Sequence, residues 1–229
     1  MIKLHGFPRS NFYTIVKLAL VEKGIPFEEC FFIPETALQI TKDSNYLSKS
    51  PMGKVPCIET QQGFLSETNI ILDYLDDLGE GPSFYPNDPF EKAKVRELIK
   101  VLELYIEHPA RQLYGETFFS PPIPAANKLL IREQLKNGFK AVAALTNFDP
   151  YIAGKKITYA DFVARFTIGV ATLVTEKVFA WDAHEDVPGL KQYLQFIDQR
   201  ETVIEVFGEM EWGEVITMNH SNEEVKTES

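Results

Sequence analysis

Ser50-Pro51-Met52-Gly53-Lys54-Val55-Pro56-Cys57-Ile58-Glu59-Thr60-Gln61-Gln62-Gly63-Phe64-Leu65-Ser66-Glu67-Thr68 reads as a loop, two short strands about a turn, and the start of a helix. Pro56 has no N–H to give to a sheet ladder, so a strand opening at Val55 belongs at an edge or beside a turn. Val55 to Thr60 and Phe64 to Ser66 flank Gln61-Gln62-Gly63, a hairpin-like connection. Beyond Thr68, the residues Ile70, Ile71, Tyr74, Leu75 and Leu78 form one apolar stripe, and Gly79 ends that helix. Upstream, Ile2 to Gly6 alternates as a strand. Phe12, Ile15, Val16, Ala19 and Leu20 then recur at helical spacing up to a capping Gly24. Pro26 restarts the chain into a strand from Phe27 to Ile33, and residues 36 to 50 are polar and irregular with room for one short helix. The order β-α-β-α-β-β-α predicts a small mixed sheet with helices packed on it.

Downstream the periodicity is helical throughout. Three prolines and one glycine between Glu80 and Pro89 mark a linker. Asp88-Pro89-Phe90-Glu91 opens a long helix, with Asp88 as cap and Pro89 at the first helical position. Val95, Leu98, Leu102, Ile106 and Leu113 continue its stripe, and Pro109 predicts a kink. A break at residues 121–124 precedes a second long helix over Leu129 to Leu145. The expected division is an α/β domain over 1–80, a linker over 81–90, an all-helical domain over 91–213 and a flexible tail over 214–229.

Composition narrows the functions. Of 229 residues, 45% are hydrophobic and 24% charged, an ordinary globular balance. With 23 Lys and Arg against 33 Asp and Glu, the formal charge is −10, which disfavours nucleic acid and anionic membranes as partners. The apolar runs, such as Ile168 to Val174, are far shorter than a bilayer span. Cys30 and Cys57 form no C-x-x-C and no metal spacing, and the N-terminus lacks a secretory signal, so the expectation is a reduced cytoplasmic compartment and no metal.

Three motifs in order carry a family resemblance. Ser50-Pro51-Met52-Gly53-Lys54-Val55-Pro56 is similar to N-P-x-G-K-V-P; Leu65 to Leu75 is similar to L-x-E-S-x-A-I-x-x-Y-L; Gly154-Lys155-Lys156-Ile157-Thr158-Tyr159-Ala160-Asp161 is similar to G-x-x-x-[ST]-x-A-D. Together they resemble the glutathione S-transferase superfamily, whose plan is a thioredoxin-like N-terminal domain, a short linker and an all-helical C-terminal domain. The resemblance implies a homodimer, and glutathione as the bound thiol, used in detoxification of a hydrophobic electrophile.

Each motif also has its own physics. The resemblance implies that the Val55–Pro56 bond is cis, turning the Val55 backbone outward as an edge on which a peptide can lie. Free N–H groups in the helix turn after Ser66-Glu67-Thr68 suit an anion. The Thr68 hydroxyl adds a donor for a carboxylate, and Glu67 can accept from an ammonium group. Those are the two charges at the γ-glutamyl end of glutathione. The family has Ser where this chain has Thr68, which keeps the hydroxyl. Lys54 and, across an irregular loop, Lys42 are candidates for the glycyl carboxylate. Thr158 and Asp161 are spaced as a capping box, with Ile157 and Phe162 at staple positions, a structural device.

The activating residue of the family lies between the first strand and first helix. In Phe7-Pro8-Arg9-Ser10-Asn11-Phe12-Tyr13, Ser10 falls where the Ser and Thr classes place theirs. Its hydroxyl would donate to the glutathione sulfur and favour the thiolate, with the helix N-terminus helping. Ser10 can equally be a helix cap. Asn11, through its amide, and Tyr13 are the rival donors. Phe12 stands where cysteine-type relatives carry Cys, and the S-S-C-S pattern of maleylacetoacetate isomerases is missing. For the electrophile pocket, Tyr105, Arg111, Tyr114 and Phe118 on the long helix face Phe12 across the domains. Conjugation is the leading activity. Glutathione-dependent reduction of disulfides or peroxides, and a non-catalytic scaffold, are the alternatives.

Overall fold

The structure is a computed structural model and describes residues 1–34, 44–119 and 124–208. Lys42 and the expected tail over 214–229 lie outside the described residues.

The N-terminal region is a four-stranded mixed sheet in the order β2-β1-β3-β4. β1 (Ile2–Gly6) pairs in parallel with β2 (Phe27–Phe31), Ile2 opposite Phe27. β1 also pairs antiparallel with β3 (Cys57–Thr60), Leu4 opposite Ile58. β4 (Gly63–Ser66) completes the hairpin, Cys57 opposite Ser66. β3 opens at Cys57, two residues after Val55, as the missing Pro56 N–H requires. α1 (Asn11–Lys23) crosses from β1 to β2, and Gly24 ends it in the left-handed conformation, its N–H returning to Leu20 and Val21. The short α2 (Ser44–Leu47) precedes the hairpin, and α3 (Thr68–Asp77) follows it.

The linker is tied down rather than loose. Asp76 accepts from the Phe84 N–H, and the buried Lys23 ammonium donates to the Pro82 carbonyl at 2.8 Å. α4 (Pro89–Val101) starts as expected, with the Asp88 carboxylate accepting from the Phe90 and Glu91 N–H groups.

At Leu102 the helix widens into a π-helical turn over Leu102–Glu107 and resumes as α5 (His108–Arg111). Pro109 therefore sits at the start of a fresh α turn rather than in a kinked helix interior. A second π turn over Gly115–Phe119 follows. α6 (Ala125–Leu145) and α7 (Tyr159–Phe179) form the centre of the helical region, followed by a 3₁₀ turn (Ala183–Asp186), α8 (Leu190–Ile197) and α9 (Glu201–Gly208).

The core of the helical region is aromatic: Phe139, Tyr159, Phe162 and Phe166 are all buried. α1 packs against both α7 and α9, so the two regions share a continuous interior. At the start of α7 the Asp161 carboxylate accepts four hydrogen bonds, from the Thr158 N–H and hydroxyl, the Ile152 N–H and the Tyr193 hydroxyl.

Candidate active site

The loop ahead of β3 is fixed by its own side chains. The Tyr46 and Ser50 hydroxyls both donate to the Lys54 carbonyl, at 3.0 and 2.9 Å. This holds Lys54 and Val55 at the mouth of a cleft, ahead of a Val55–Pro56 bond that is cis. Glu67 caps α3 with φ at +72° and makes no side-chain cap bond, so the first-turn N–H groups of α3 have no cap at that position. A side chain held at positive φ costs about 1–3 kcal/mol, and such positions cluster at functional sites. Thr68 is buried beside it.

The cleft is lined on the sheet side by Lys54, Val55, Pro56, Ser66, Glu67 and Thr68. Phe12 of α1 and Glu103, Leu104, Glu107, His108 and Arg111 of the long helix form the rest. Every binding residue inferred from the two N-terminal motifs thus lies around one opening, and two of the five electrophile-pocket candidates, Phe12 and Arg111, share it.

Ser10 is the N-cap of α1 and accepts from the Tyr13 N–H at 3.4 Å. A capping hydroxyl accepts through its oxygen and still has its O–H to donate. Asn11 is buried, and both ends of its amide are taken. Nδ2 donates to Glu107 Oε1 at 3.0 Å, and Oδ1 accepts from Arg111 Nη2 at 3.1 Å. The Tyr13 hydroxyl donates to Glu29 on β2. Neither Ser10 nor Asn11 is among the cleft-lining residues; they are the two residues before Phe12, which is.

Glu107 organises the helical wall. Only 1% exposed, it accepts from Asn11, from Arg111 Nε at 3.1 Å, from Arg111 Nη2, and from the Tyr114 hydroxyl at 3.1 Å. Burial, reinforced by the Glu107 carboxylate, holds the Tyr114 phenol well above its usual pKa, so it stays protonated and donating. Phe118 packs edge-on to Tyr114 at 5.6 Å. Tyr114 and Phe118 therefore support the wall from outside the lining set, and Tyr105 is exposed away from it.

Sequence reasoning missed Glu103, Leu104, Glu107 and His108. The π turn adds a residue to the helical repeat there, and Pro109, placed just after it, is the one sequence signal of a disturbed ladder. Cys57 is buried, and burial pushes its thiol up to about 11, so it is not a nucleophile near neutral pH. Burial also raises Cys30.

A family model for the glutathione S-transferase N-terminal domain matches residues 4–83. A curated glutathione S-transferase of Pseudomonas putida is 44% identical over 211 residues, which is 92% of this chain and 93% of that protein. A probable glutathione S-transferase of Nicotiana tabacum is 37% identical over 74% of this chain and 72% of its own length. Among solved structures, glutathione transferase F2 of Populus trichocarpa superposes with a TM-score of 0.74 at 20% identity, covering 92% of this chain and 99% of that one, which supports the fold. With a relative so similar across nearly its whole length, the chain belongs to the glutathione S-transferase family.

Proposed function

We propose that this protein is a glutathione transferase that binds glutathione along the sheet side of the cleft and directs its sulfur at an electrophile held against the helical wall. The observation that carries this is the single opening shared by the Lys54-to-Pro56 segment, the Ser66-to-Thr68 helix start and the Phe12–Arg111 wall. Glutathione is a substrate here and is consumed in the product.

The roles follow from the chemistry of each group. The Thr68 hydroxyl and the first-turn N–H groups of α3 take the γ-glutamyl carboxylate, and Glu67 takes its ammonium. The Val55 backbone pairs with the cysteinyl residue as an added strand. Lys54, joined by Lys42, takes the glycyl carboxylate. Ser10 keeps its cap bond to Tyr13 and turns its O–H to the sulfur. A free thiol near pKa ~8.5 is mostly protonated at neutral pH; a drop of about two units is worth roughly 2.7 kcal/mol of thiolate stabilisation. The thiolate attacks carbon, the S–C bond forms, the leaving group departs with its electron pair, and the thiol proton goes to solvent. Asn11, with its amide committed to Glu107 and Arg111, is the alternative donor only through its second N–H.

The protein works as a homodimer in the cytoplasm. Ile70 on α3, 53% exposed, and Phe64 on β4 are large apolar side chains that a partner subunit would cover, and both thiols are free, as in a reducing compartment. The activity is tested with two substrates. Conjugation of chlorodinitrobenzene with little reduction of hydroxyethyl disulfide is expected. The reverse pattern makes the protein a reductase, and failure to be retained on glutathione resin makes it a scaffold.

A further inference from the structure

The helical wall of the cleft is unusually polar for a surface that must hold a hydrophobic electrophile. Of its residues, Leu104 is the apolar one, beside Glu103, Glu107, His108 and Arg111. The two carboxylates are already committed. Glu103 accepts from Lys100 at 2.7 Å and from Asn69 at 2.5 Å, and Glu107 accepts from Asn11, Arg111 and Tyr114. The cationic side of the wall is committed only in part.

Arg111 is held as a guanidinium must be held to read a ligand. Its carbon lies 4.8 Å from the centre of the Phe12 ring and 5.1 Å from that of Tyr114. One edge, Nε and Nη2, is fixed by the buried Glu107, and Nη2 also reaches Asn11. Nη1 has no recorded partner among the described residues, and the side chain is 44% exposed at the cleft. His108, three residues earlier on the same helix face, is exposed at the same cleft and likewise without a recorded partner among the described residues. A guanidinium braced by a carboxylate and stacked on rings, with donors left over, is arranged for a planar anion.

We propose that the second substrate of this enzyme carries a carboxylate, which sits on the outer edge of Arg111 with His108 beside it. This rests on the glutathione-binding role proposed above and adds the substrate class. Two sources share that chemistry: an acidic electrophile, or a second glutathione joined through a disulfide. Glu107 acts as a positioning residue here, since its carboxylate touches Arg111 and not the ligand.

The test compares two glutathione conjugates that differ in one group, S-(4-carboxy-2-nitrophenyl)glutathione and its 4-carboxamide, by calorimetry on the full-length protein. The acid is expected to bind about tenfold more tightly than the amide. That ratio falls to near one in Arg111→Gln and persists in part in Arg111→Lys. A merely structural effect of the substitution moves both conjugates together and leaves the ratio unchanged. Glutathione disulfide, titrated alongside, identifies the source: tighter than the acid conjugate points to a second glutathione, weaker to an acidic electrophile. Equal binding of acid and amide by the wild type, or a ratio unaltered in Arg111→Gln, overturns the assignment. If glutathione binds while the two conjugates are equal, the substrate class alone is wrong. If glutathione and both conjugates fail to bind, the glutathione site itself falls and takes this inference with it.

Discussion

His5 on β1 is 7% exposed, with its Nε2 3.2 Å from the Glu59 carboxylate. Burial, opposed by the Glu59 hydrogen bond, holds the imidazole below its usual 6.5. The unfolded chain therefore takes up a proton that the folded chain resists. The stability His5 contributes is complete above pH 6.5 and is lost as the pH falls from 6.5 through the folded value. His5→Gln keeps a donor toward Glu59 and removes the titration, so its stability should decline less steeply over that interval in denaturant melts; parallel curves would contradict this.

At the same scale, the candidate site was partly legible. Lys54, Val55, Pro56, Glu67 and Thr68 lie in motifs whose local chemistry is written in consecutive residues. The helical wall is not local. Glu107 looks like any surface acid in the sequence, and its burial depends on meeting Asn11, 96 residues away.

Between elements, one close joint is backbone against backbone. Pro109 has no N–H to offer the Tyr105 carbonyl, and that oxygen turns toward Gly138 of α6. A Cβ on Gly138 would stand 2.1 Å from it. Gly138→Ala should cost about 3 kcal/mol, read as a lower melting temperature; an unchanged melt would mean that the helices separate freely. The α7 start behaves differently, because it is held by polar bonds. Asp161→Ala orphans four donors and should cost roughly 3 kcal/mol while leaving glutathione affinity nearly intact. Normal thermal stability in that variant would sink the structural assignment. This device was legible from the Thr158–Asp161 spacing, as was the β-α-β-α-β-β-α order, because both depend on near neighbours. The π turn at Leu102–Glu107 was not, since no residue type favours it. Tyr105 was accordingly expected at the cleft, and the shifted helical register leaves it exposed elsewhere.

Across the whole molecule, α1 joins the sheet region to the helical region. Its start carries Ser10 and Asn11, and its far end carries Glu22, which accepts a bidentate pair from Arg200 ahead of α9, Nε to Oε1 at 3.1 Å and Nη2 to Oε2 at 2.9 Å. Asn11 at one end and Glu22 at the other thus tie the sheet region to the helical region along a single helix. Assembly belongs to this scale too: sedimentation should give twice the monomer mass, and Ile70→Glu should shift it toward the monomer. A monomeric wild type would contradict the dimer. In the proposed mechanism Ser10 lowers the proton affinity of bound glutathione. The direct measurement is a pH titration of thiolate absorbance near 240 nm for glutathione bound to wild type and to Ser10→Ala, with binding verified by calorimetry. Both proteins are expected to bind glutathione, wild type depressing the thiol pKa by about two units and Ser10→Ala losing most of that shift. A depressed pKa that survives in Ser10→Ala would contradict it and move the donor to Asn11.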